Sequence, residues 1–188
     1  MRKISKMKNA RIWTIAVFLI GMCGCNAVFS KRPVGEKPAG IVAKDWEGNW
    51  QTPDGTVRIK VIDPGKGMLR ALWIEDDKQG NPIMKTADVE IRQSGEWLFA
   101  NTKDDDVSKN RGYFWGRIRN KDRQIIVWVP DEKAFVRLVK NGTLPGKIDG
   151  DDVILDELTS QHLKRIMSGD QGVLFAWDEP VVFVKQGN

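Results

Sequence analysis

The chain has 188 residues, with 30 Lys and Arg against 25 Asp and Glu, a formal net charge of +5, one histidine and two cysteines. Five of the basic residues and no acid fall within the first 25 positions, so the remainder balances at 25 against 25. That balance excludes the surplus of cationic side chains that a nucleic-acid backbone needs. The scarcity of histidine and cysteine excludes an ordinary zinc site.

Residues 1–11 carry Arg2, Lys3, Lys6, Lys8 and Arg11, residues 12–20 form an apolar run, and Gly21-Met22-Cys23-Gly24-Cys25 follows. A basic head, a short apolar middle and a small-residue exit are the parts of an export signal. The run is shorter than the roughly 20 apolar residues of a membrane span. An uncleaved anchor and an ordinary secretory signal are the alternatives to what the exit suggests. It resembles the bacterial lipoprotein signal, in which a cysteine after a small residue becomes the lipidated start of the mature chain. Cys25 fits, with Gly24 before it and Met22 three places upstream; Cys23 has bulky Met22 where a small residue belongs. The resemblance implies a signal peptide over 1–24 and acyl chains on Cys25. It also implies an outer-membrane location in a host with two membranes, because Asn26 rather than an Asp follows the cysteine. With both cysteines in the exit, the exported domain has no disulfide and rests on its own core.

Residues 25–44 are read as the lipidated cysteine and a flexible tether. Two prolines and two glycines interrupt this stretch, and a coil of that length spans on the order of 25 Å. Only 41–43 are expected to pack on the domain, which occupies 45–188.

From Trp46 onward turn signals recur: Pro53-Asp54-Gly55, Asp63-Pro64-Gly65, Gln79-Gly80-Asn81-Pro82, Ser94-Gly95, Asn120-Lys121-Asp122 and Asn141-Gly142. Between them Val57, Ile59 and Val61 alternate with Arg58 and Lys60, the period of a strand with one face buried. Strands are predicted over 49–52, 56–61, 68–74, 87–91, 97–101, 113–119, 124–129 and 134–140. The run 125–129 is apolar on both faces, so its outer side needs a cover. One helix is predicted to supply it, capped by Thr159, with Leu163, Ile166 and Met167 as its stripe and Gly169 as its end. Short strands over 173–177 and 181–185 form a closing hairpin. The fold class is mainly β, an eight-stranded antiparallel meander closed into a barrel, because closure removes two exposed edges.

Gly48-Asn49-Trp50 at the start of the first strand, followed by a meander and a helix, resembles the opening of lipocalin-type barrels. The resemblance implies that Gly48 and Trp50 sit at the barrel base with an arginine of the last strand across the indole. Arg137 is the position that matches. It also implies a small apolar ligand inside the barrel. The family's Thr-Asp-Tyr motif and its disulfide have no counterpart here.

Seven tryptophans follow the signal: Trp46, Trp50, Trp73, Trp97, Trp115, Trp128 and Trp177. They serve either as a stacking platform or as core filling for a domain without disulfides. His162 lies beside the apolar stripe of the predicted helix, where a surface role outweighs a catalytic one. Asp104-Asp105-Asp106 and Asp149-Gly150-Asp151-Asp152 lack the spacing of a twelve-residue calcium loop and read as solvated turns. No metal, cofactor or catalytic set is expected, and an enzyme working through carboxylates alone ranks third. First is a membrane-anchored envelope lipoprotein that binds a small apolar ligand. Second is a structural or interaction protein of the envelope, with a packed barrel and a protein partner. An empty apolar interior of a few hundred Å³ favours the first, and a filled one with an exposed apolar patch the second.

Overall fold

A computed structural model describes residues 27–77, 79–103, 111–168, 175–176 and 178–187. The signal, Cys25, the 104–106 acidic cluster, Gly169, Trp177 and most of the predicted 173–177 strand lie outside them. The chain order is β1 (Val28–Ser30), β2 (Lys37–Pro38), α1 (Ala43–Trp46), β3 (Gly48–Thr52), β4 (Gly55–Asp63), β5 (Met68–Asp76), β6 (Pro82–Ser94), β7 (Trp97–Thr102), β8 (Tyr113–Lys121), β9 (Gln124–Trp128), α2 (Glu132–Lys140), β10 (Gly146–Asp149), β11 (Asp152–Leu155), α3 (Ser160–Met167) and β12 (Val181–Lys185).

Strands β3 to β9 form an antiparallel meander, each paired with the next. The C-terminal β12 is antiparallel to both β9 and β3, which closes an eight-stranded barrel. Alternation sends Val57, Leu69, Ala71, Ile91, Ile118 and Phe183 inward, where they form one apolar cluster with Trp50 and Trp73. The β8–β9 turn holds Asp122 and Arg123 at φ 53° and 62°. Two successive positive φ values are what a two-residue type I′ hairpin needs to follow the strand twist.

A second apolar cluster lies outside the barrel wall. Phe99 and Trp115 share a sheet surface opposite to inward-facing Ala100 and Gly116. They pack under Phe135 and Leu138 of α2, Leu163 and Ile166 of α3, and Val28, Val153 and Leu155 of β1 and β11. Trp115 meets Phe135 edge-on at 5.6 Å and Phe175 at 6.0 Å. Aromatic edge-to-face pairs add to what burial alone contributes. Of the doubly apolar 125–129 run, Trp128 packs against this layer, while Ile125 and Val127 belong to the barrel interior.

At Gly116 the barrel wall leaves no room for a side chain. A Cβ there lies 2.7 Å from the Trp128 carbonyl oxygen, and a backbone atom cannot swing aside. Gly116→Ala is therefore expected to cost about 1–3 kcal/mol by forcing β8 and β9 apart, read as a lower urea midpoint at unchanged slope.

Three sequence expectations need correction. The predicted strand over 134–140 is helix α2. Asp131 caps it by accepting the Ala134 N–H at 2.8 Å, and Ala134, Phe135 and Leu138 bury one helical face. Arg137 consequently lies exposed on α2 and belongs to no barrel strand. The eighth stave is β12, expected only as half of an accessory hairpin. Residues 27–44 are not a flexible tether. Strand β1 is buried between β11 and β8, and β2 pairs with β6. Val34, 1% exposed, donates its N–H to Asn101 Oδ1 at 2.6 Å. The prolines and glycines of this stretch turn a chain that is fastened to the barrel.

Candidate functional site

The base of the barrel is shut by α1. Trp50 is fully buried and donates its indole N–H to the Trp46 carbonyl at 2.8 Å. Lys185, opposite Trp50 in the β12–β3 register, holds its ammonium 5.3 Å from the indole ring and donates to the Lys44 carbonyl at 2.6 Å. A cation from the last strand does lie over the base tryptophan, but it is a lysine that only the folded register brings there. Gly48 sits beside it at φ 135°, where a Cβ would come 3.1 Å from Lys185 Cε.

Above this base lies an apolar cavity of about 80 Å³. Four small inward residues, Ala71, Ala87, Ala100 and Gly116, leave the space between Leu69, Ile118 and Val127. The hydroxyl and amide side chains at its wall are engaged, whereas the buried Trp115 indole N–H has no partner. Thr52 donates to the Gly55 carbonyl at 3.1 Å, and Thr102 to the Asp88 carbonyl at 3.0 Å. Asn101 accepts from Val34 N–H and donates back to the Val34 carbonyl. An occupant of this space meets mainly hydrocarbon, so a polar molecule would lose most of its hydration without replacement.

Toward the opposite end, β5 and β6 rise as one long hairpin. Its inner face continues from Ala71 through Trp73 to Glu75. Lys85, opposite Trp73, lies 3.4 Å from the Glu75 carboxylate, and the Trp73 indole N–H points to the same group at 3.4 Å. The hairpin tip is stiffened by Asp77, which accepts from the backbone N–H groups of Asn81 and Gln79, both at 2.8 Å. The Asn81 backbone and side-chain bonds hold the Asp77 carboxyl below its usual range. Lower down, the side-chain bond from Arg70 does the same for Asp88, at 2.6 and 2.9 Å. A depressed carboxylate stabilises above its unfolded pKa and loses that contribution as pH falls through the folded one. The hairpin is thus expected to loosen only below about pH 4. Asp88→Asn should cost under about 1 kcal/mol at neutral pH, since the pair is half exposed, and should flatten the acid limb of a Tm–pH profile.

The described tryptophans divide between the two cores. Trp46, Trp50 and Trp73 belong to the barrel interior, and Trp97, Trp115 and Trp128 to the outer layer. Arg117 stacks over Trp97 at 3.9 Å and lies 5.3 Å from Trp128. Burial, then the charge of Arg119, pushes its pKa down. His162 completes the α3 capping box, accepting the Thr159 N–H on Nδ1 at 3.2 Å. In the 149–152 turn, Asp152 pairs with Arg111 and Asp149 with Lys147. A polar hollow of about 490 Å³ beside α3 is lined by Arg32, Glu36, Arg92 and Thr159. It is larger than the barrel cavity, but its central Arg92 is already held by Glu90 and by the Gly35 and Glu36 carbonyls.

Sequence reading missed Lys185 and the four small inward residues. The alanines carried a usable signal, since each occupies an inward place in an alternating strand. Ala100→Leu puts three carbons into the cavity and is expected to leave stability within about 1 kcal/mol, measured by urea denaturation, while abolishing the space. Compared with models of known protein families, with curated proteins and with solved structures, the chain matches none.

Proposed function

We propose that this is an exported envelope lipoprotein, anchored through acyl chains on Cys25, whose lipocalin-like barrel binds a small apolar ligand. The observation that carries the reading is the barrel interior: closed at its base by Trp50, partly empty, apolar, and with the Thr52 and Thr102 hydroxyls at its wall already hydrogen-bonded. In a host with two membranes the address is the outer one. Mass spectrometry of the protein purified from its own membranes tests both halves. The expected result is a mature chain beginning at acylated Cys25, with an apolar small molecule released on denaturation. An unmodified cysteine overturns the anchor, and a barrel that never carries or takes up an apolar molecule overturns the ligand.

A second reading is an interaction protein with a packed barrel. Two observations favour it. The cavity, about 80 Å³, is smaller than the roughly 300 Å³ at which ligand pockets begin. On the outer face of the β5–β6 hairpin, Ile74 and Met84 pair across the strands and are 64% and 71% exposed. Loss of a co-purifying envelope protein in an Ile74→Ser, Met84→Ser double variant, with no apolar ligand recovered from the wild type, would select this reading.

A further inference from the structure

The inner face of the β5–β6 hairpin changes chemistry at one level. Along β5 it runs through Leu69, Ala71 and Trp73 to Glu75, and along β6 back through Val89 and Ala87 to Lys85. The apolar residues of both series line the barrel cavity, and Trp73, 9% exposed, is the last of them on β5. It belongs to two environments, because it borders the cavity while its indole N–H points to Glu75 Oε2. The carboxylate therefore stands one side chain away from the hydrocarbon-lined space, at the end of the barrel opposite the α1 plug.

Glu75 is poorly supplied with donors. Its side chain is 17% exposed, so water reaches little of it. Its contacts among the described residues are Lys85 Nζ to Oε1 and the Trp73 N–H to Oε2, both 3.4 Å long. A charge-assisted bond settles at about 2.7–2.9 Å, and an ionised carboxylate accepts up to about four donors. A largely buried carboxylate held at such distances gains from a closer cation. Lys85 does not become that cation at little cost. Its side chain is 41% exposed, and its ammonium is a strongly hydrated charge on a flexible stem that can swing into solvent. The buried, fixed member of the pair is the acid, and the exposed, movable member is the base.

Resting on the reading of the barrel interior as the seat of an apolar ligand, we propose that this ligand is a cationic amphiphile: a primary ammonium that replaces Lys85 at Glu75, joined to an apolar chain that passes Trp73 into the cavity. The cavity, about 80 Å³, keeps that chain short. An anionic head has no equivalent seat. It would lie beside the Glu75 carboxylate, where like charges repel most strongly away from water, and the Trp73 N–H is already turned toward that carboxylate.

The test is calorimetric titration of the full mature chain at neutral pH with hexylamine, hexanoate and hexanol, which place three heads on one tail. The amine is then protonated, as a lysine of pKa about 10.4 is. Hexylammonium is expected to bind about tenfold more tightly than hexanol, and hexanoate more weakly than either. Glu75→Gln should bring hexylammonium to the level of hexanol on the same variant. Lys85→Met, which removes the resident competitor, should tighten hexylammonium several-fold. Equal affinity for the three compounds, or an ammonium preference that persists in Glu75→Gln, overturns the assignment. So does a preference for hexanoate that Lys85→Met abolishes, which would make Lys85 the seat of the head. In each of these outcomes hexanol still binds and the apolar interior stands as a ligand site. Failure of hexanol together with both ions removes the apolar ligand, and the cationic head with it.

Discussion

Ending the chain at Pro180 is expected to abolish cooperative unfolding. The deletion removes β12, the stave that pairs with β9 at four positions and with β3 at two. It also withdraws Val181 and Phe183 from the interior, where they are 3% and 7% exposed, at about 1.5–3 kcal/mol each. Two backbone bonds go with it, from Lys185 N–H to the Arg123 carbonyl and from Gln186 N–H to the Asn49 carbonyl, both 2.9 Å. Adding the unpaired ladder groups, the loss exceeds the lower part of the 5–15 kcal/mol on which a domain survives. The remaining seven strands would expose two edges, β3 and β9, which invite pairing between molecules. The expected record is a broad urea transition, dye binding to exposed apolar surface, and aggregation. A chain ending at Lys185 should unfold within about 1 kcal/mol of the whole protein. A sharp, native-like transition for the Pro180 truncation would show that the barrel does not depend on its last strand.

The next largest effect is expected at the plug. Trp50→Ala empties a fully buried site and breaks the bond to the Trp46 carbonyl that ties α1 across the base. Large-to-small changes of this kind cost about 3–5 kcal/mol. Lys185→Met keeps the stem over the indole and removes the charge, so it should cost only about 0.5–1 kcal/mol. Arg137→Ala, on the exposed side of α2, should stay within about 0.5 kcal/mol. Chemical denaturation of the three variants separates Lys185, the cation found over Trp50, from Arg137, the one expected from sequence. An Arg137 effect matching that of Trp50 would reverse that assignment.

Local periodicity made most of the barrel legible. Val57, Ile59 and Val61 announce β4 without help, and Pro53-Asp54-Gly55 and Ser94-Gly95 mark their hairpins. Gly48-Asn49-Trp50 marks the start of β3, where Trp50 is fully buried. What was not legible is non-local. Nothing near Val181 says that it lies opposite Val127, and nothing near Lys185 says that its partner is Trp50. Helix α2 was misread because Val136 and Val139 are β-branched and favour strands. Its cap, Asp131, and the 134, 135, 138 spacing carried the contrary signal. The 27–44 segment was misread because Pro33, Gly35 and Pro38 look like a linker, whereas its fastening to Asn101, Gln93 and Asp152 depends on residues far along the chain. The candidate site was legible as an apolar interior but not in size, since the space depends on which small residues face one another across the barrel.

The central claim, that the barrel interior receives an apolar molecule, is tested most directly by calorimetric titration with straight-chain alcohols of increasing length. Each methylene that enters contributes about 0.8 kcal/mol, so affinity should rise about fourfold per carbon until the space is full. Ala100→Leu should erase that rise while the protein remains folded. Affinity that is flat with chain length, or a rise that the Ala100→Leu variant preserves, would contradict the claim and leave the barrel as a scaffold for its outer surface.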